Sequence, residues 1–87
     1  MQTKEKIVLM DKIIRELNDV ISSQTSVLKK ISQIEADNIN LNDASLADML
    51  PDIHEHIDAA LTATTGLQTK FKDVHDEFVA RNPVQEE

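Results

Sequence analysis

Apolar residues recur at alternating steps of three and four along two long stretches of this chain. The first ladder is Ile7, Met10, Ile14, Leu17, Ile21, Leu28 and Ile31, with Gln24 as its one polar member. The second is Leu46, Leu50, Ile53, Ile57, Ala60, Thr64, Leu67, Phe71, Val74 and Phe78. Such spacing lines up one side of an α-helix. It predicts a helix over about 3–36, with Thr3 able to cap it, and another over about 44–81. Between them Asp37-Asn38-Ile39-Asn40-Leu41-Asn42-Asp43 is rich in residues that favour turns and caps. It is expected to form a loop over 37–43, with Ile39 and Leu41 tucked under the hairpin end and Asn42 or Asp43 capping the second helix.

Two breaks in helical propensity fall inside the second ladder. Pro51 lacks an N–H and predicts a kink or a separate short helix. Gly66 is the other soft point, and a break there would give three helices. The ladder runs through both, which favours one near-continuous helix. Asn82-Pro83 stops it, and 82–87 is expected to be a flexible tail.

Folded back on each other, the ladders pair Ile7 with Val74, Met10 with Phe71, Ile14 with Leu67 and Ile31 with Leu50. Each pair of residue numbers adds to 81. The fold class is therefore all-α: a single domain over 1–87 forming an antiparallel helical hairpin. A further column, Ile13, Val20, Val27 and Ile34, lies beside the first ladder at seven-residue steps. The hairpin leaves it half exposed, and each such side chain contributes about 1.5–3 kcal/mol when buried. Pairing two hairpins into a four-helix bundle would cover it. At 87 residues, oligomerisation is a reasonable expectation in any case.

Composition narrows the chemistry. There is no Cys, Trp or Tyr and only one Gly, which removes disulfides, thiolate metal sites and glycine-rich phosphate loops. No Ser, His and Asp fall at nucleophile-and-base spacing, so no enzyme and no cofactor are expected. The longest apolar run, Ile7–Met10, is far too short for a membrane span. Neither a signal peptide nor membrane binding is expected, and a cytoplasmic location is the default.

The net charge is −7 and uneven. Residues 1–36 carry six Lys/Arg against five Asp/Glu, and 37–87 carry three against eleven. The acidic stretch is a poor nucleic-acid surface and suits a basic protein partner, with Asp48, Asp52, Glu55 and Asp58 as its candidate contacts. Solubility alone would also explain it.

His54-Glu55-His56-Ile57-Asp58 invites a metal reading. His54 and His56 are two apart and point away from each other on a helix, so no metal site is expected. With His75 they sit beside acids and could titrate near neutral pH and bias assembly. Gln24 either sets register from a buried position or packs its stem and leaves its amide in water. At the open end, Val8, Leu9, Phe78, Val79 and Val84 are candidates for an exposed apolar patch.

The organisation resembles Rop-type plasmid copy-control proteins, dimers of helical hairpins that bind RNA. Short strings similar to that family are Thr3-Lys4-Glu5-Lys6, Ser23-Gln24-Thr25 and Ile53-His54-Glu55-His56. The resemblance implies a hairpin dimer and an RNA-binding face on the first helix. Gln24 matches the amide of that face, whereas Val20 stands at its aromatic position and Ile31 at a basic one. The resemblance therefore reaches architecture and not the RNA contacts. A second likeness, to small secreted hairpins with a Trp-x-Gly turn, fails at 38–43, which has neither residue.

The function expected is a non-enzymatic protein–protein interaction or assembly module, such as a small bacterial or phage regulator. Its partner would be a second copy or another helical protein, bound through Val8, Leu9, Ile13, Val20, Val27, Ile34, Phe78 and Val79. The alternative is Rop-like RNA binding with Lys4, Lys12, Arg15, Lys29 and Lys30 on the outer surface.

Overall fold

The structure, a computed structural model, describes residues 1–83. It contains two helices, α1 (Thr3–Leu41) and α2 (Ala44–Arg81), packed against each other as a hairpin 65 × 18 × 17 Å in extent. The 39 residues of α1 account for this length at about 1.5 Å rise per residue. The last four residues, including Val84 and most of the expected tail, lie outside the described residues.

α1 extends through Leu41, five residues beyond the expected end, and the 37–43 loop shrinks to Asn42-Asp43. The Asn and Asp residues act here as caps. Asn42 takes the left-handed conformation at φ 57, and its N–H donates to Asn38 O at 2.7 Å. Asn38 stays helical and brackets the turn: its Oδ1 accepts from Asp43 N at 2.8 Å, and its Nδ2 donates to Asp43 O at 3.1 Å. Asp43 then caps α2 by accepting from Leu46 N at 3.0 Å. With α1 longer, Ile39 and Leu41 do not tuck under the hairpin and stay 81% and 69% exposed. At the start of α1 the cap position is Gln2, without a side-chain capping bond, and Thr3 is already helical.

α2 is continuous through both Pro51 and Gly66. The carbonyl four residues before Pro51 belongs to Ala47, which is exposed and open to water.

The shorter turn moves the register by about one helical turn. Asp11 meets His75 and Asn18 meets Gln68, pairs that add to 86 instead of 81, and nearer the turn Glu35 meets His54, which adds to 89. Near the open end Lys6 Nζ sits 4.7 Å above the Phe78 ring, a cation–π contact.

Candidate interaction face

α2 turns one side to α1 along Leu50, His54, Ile57, Leu61, Thr64, Gln68, Phe71, His75 and Phe78, all buried or half-buried. This corrects the second ladder. His54, Leu61, Gln68 and His75 occupy the positions expected for Ile53, Ala60, Leu67 and Val74. Both columns step by seven and flank the same central line, so periodicity alone does not choose between them. Polar complementarity across the seam does. Glu35 Oε1 lies 2.7 Å from His54 Nδ1, and Asn18 Oδ1 accepts from Gln68 Nε2 at 2.6 Å. Asp11 Oδ1 lies 2.8 Å from His75 Nε2, a close approach without the direction of a hydrogen bond, and Asp76 Oδ1 is 3.0 Å from His75 Nδ1. One edge of the hairpin seam is thus polar.

The other edge is apolar and open. Val20, Val27, Ile57 and Ala60 line one groove there, with Asp19, Ser23 and Gln24 as its polar members. The seven-residue steps carry the Val27–Ala60 juxtaposition along the hairpin to Val20–Leu67, Ile13–Val74 and Ile34–Ile53, four rungs whose numbers each add to 87. Val20, Val27, Ile53, Leu67 and Val74 are 40–54% exposed, while Ile13 and Ile34 are half-buried. Leu9 shares this side, being one turn before Ile13. Among the described residues only Met10 and Leu50 are buried, one near each end of the hairpin.

Ile13, Val20, Val27 and Ile34 are thus one half of a shared face. Its other half on α2 was hidden within the second ladder. The signal that separates the columns is the match of His54, Gln68 and His75 with the polar residues Glu35, Asn18 and Asp11 of α1.

The remaining candidates do not join this face. Val8 lies a turn from Asp11 and Val79 a turn from His75, which puts both on the polar edge; Val8 is exposed and Val79 half-buried. Phe78 packs half-buried beneath Lys6. The expected open-end patch is therefore divided between two sides of the molecule. Asp48, Asp52, Glu55 and Asp58 are exposed on the outward side of α2, as are Lys4, Lys12, Arg15, Lys29 and Lys30 on α1.

No protein-family model, curated protein or solved structure matches this chain.

Among the described residues no group of three or more His, Cys, Asp or Glu side chains is arranged to hold a metal ion. His54 and His75 each face carboxylates within one hairpin, on the edge away from the groove, and His56 is exposed. No described helix is long and apolar enough to cross a membrane. Gln24 Oε1 is shielded from water and has no hydrogen-bond partner. A shielded, unpaired amide oxygen is costly, about 1–3 kcal/mol.

Proposed function

We propose that this chain is a non-enzymatic assembly module that works by helical packing, and that it self-associates into a four-helix bundle. One observation carries the reading: an apolar face of four aligned rungs runs most of the hairpin's length while, among the described residues, only two side chains are buried. A two-layer helical domain needs an enclosed core, and this hairpin has half of one. The polar rungs at the opposite edge leave a single side on which that core can be completed.

Exposed area supports the same reading. A compact monomer of 9.8 kDa exposes about 5,200 Å². This chain exposes 6694 Å². The excess, roughly 1,500 Å², comfortably exceeds the ~800 Å² per partner of a standard stable interface.

Substituting Leu67→Glu places a charge at the middle of the face without touching the polar seam. Sedimentation equilibrium should show the unaltered chain as a dimer and Leu67→Glu as a monomer with reduced helicity. An unaltered chain that sediments as a monomer would contradict the proposal.

A further inference from the structure

We infer that the second copy lies antiparallel on this face, related by a two-fold axis passing between the levels of Val20 and Val27, so that the two turns sit at opposite ends of the bundle. This rests on the self-association proposed above and adds its orientation and register.

Side-chain volume is the first reason. Full overlap of the four rungs about that axis lays each Val27–Ala60 rung on the partner's Val20–Leu67 rung. The partner's Leu67 then enters the groove beside Ala60, where the side chain is smallest. Each Ile13–Val74 rung likewise meets an Ile34–Ile53 rung, so the layers have matched volumes. With both turns at one end, each rung would meet its own copy. Two Val27–Ala60 rungs would leave a void, and two Ile34–Ile53 rungs would crowd.

Gln24 is the second reason. It lies beside the axis, at the level where an antiparallel partner's Gln24 comes directly across. The two side-chain amides can then pair across the axis once they turn toward the partner, each N–H donating to the other's side-chain oxygen. With both turns at one end the two Gln24 side chains sit on diagonal helices and do not reach each other.

Charge is the third. Residues 24–61, the half nearest the turn, hold seven Asp/Glu against two Lys, or −5 of the total −7. The antiparallel arrangement sets each such half beside a nearly neutral one. The alternative stacks the two acidic halves together.

A nitroxide on a single introduced cysteine reads the orientation, since the chain has no other Cys. At Asn40→Cys, about 16–17 residues from the axis level, the two labels of an antiparallel dimer stand about 50 Å apart at 1.5 Å per residue. With both turns at one end they fall within about 25 Å, the width of a bundle with helices 8–10 Å apart. Double electron–electron resonance on the full chain should return the long distance. Arg81→Cys, at the opposite end of the hairpin, should do the same and guards against disturbance of the turn. A short distance in a chain that sediments as a dimer overturns the orientation and leaves self-association standing. A monomer at the same concentration overturns both.

Discussion

Asp43 accepts from the Ser45 hydroxyl and from the Leu46 N–H, and these bonds hold its carboxyl below the usual carboxylate range. Folding lowers this pKa. The cap therefore stabilises the fold fully above the carboxyl's unfolded pKa, and its contribution is lost as pH falls through the lower folded value. Urea midpoints of the unaltered chain and Asp43→Ala should differ at neutral pH and converge in strong acid. Asp43→Asn, which keeps a capping oxygen that does not titrate, should lie near the unaltered chain at neutral pH and should not share its fall toward Asp43→Ala in acid. The cluster from Asp37 to Asp43 marks in the sequence where the chain reverses. Its composition does not reveal that Asn38 remains helical while bonding across the turn to Asp43, because short polar side chains favour caps and loops alike. That ambiguity explains both the five missing residues of α1 and the displaced register.

Among the elements, α1 was nearly all legible: its ladder lies along the seam or its edge, and its second apolar column is half exposed as expected, Val20 and Val27 more than Ile13 and Ile34. α2 was legible as a helix but not in its rotation. Its central line, Leu50, Ile57, Thr64, Phe71 and Phe78, has an apolar column on one side and a largely polar one on the other. The apolar column was assigned to α1, whereas the structure gives α1 the polar one, because Asp11, Asn18 and Glu35 offer it partners. Hydrophobicity identifies what must be covered but not which neighbour covers it. Gly66 belongs to the outward side of α2, and a Cβ built there meets nothing within 4 Å. Gly66→Ala should therefore raise stability by about 1 kcal/mol through helix propensity alone, with the sedimenting mass unchanged. Thermal unfolding of the two chains at equal concentration measures this.

At the scale of the whole molecule, the hairpin is a thin rod that cannot enclose its own apolar residues. Its extents of 18 and 17 Å leave room for two helices side by side and no interior between them. The polar edge, the open apolar edge and the unpaired Gln24 amide all follow from placing two bundle-type helices in one layer. On the proposed self-association, folding and association are one process, and stability depends on protein concentration. The direct measurement is the thermal midpoint of the unaltered chain over a hundredfold range of concentration, followed by circular dichroism. A core completed by a second copy shifts the balance by about 2.7 kcal/mol over that range, which for two chains of this length moves the midpoint upward by roughly 5–10 °C. A midpoint that stays constant across the range would mean that the single hairpin is the complete folded unit, and would contradict the central claim.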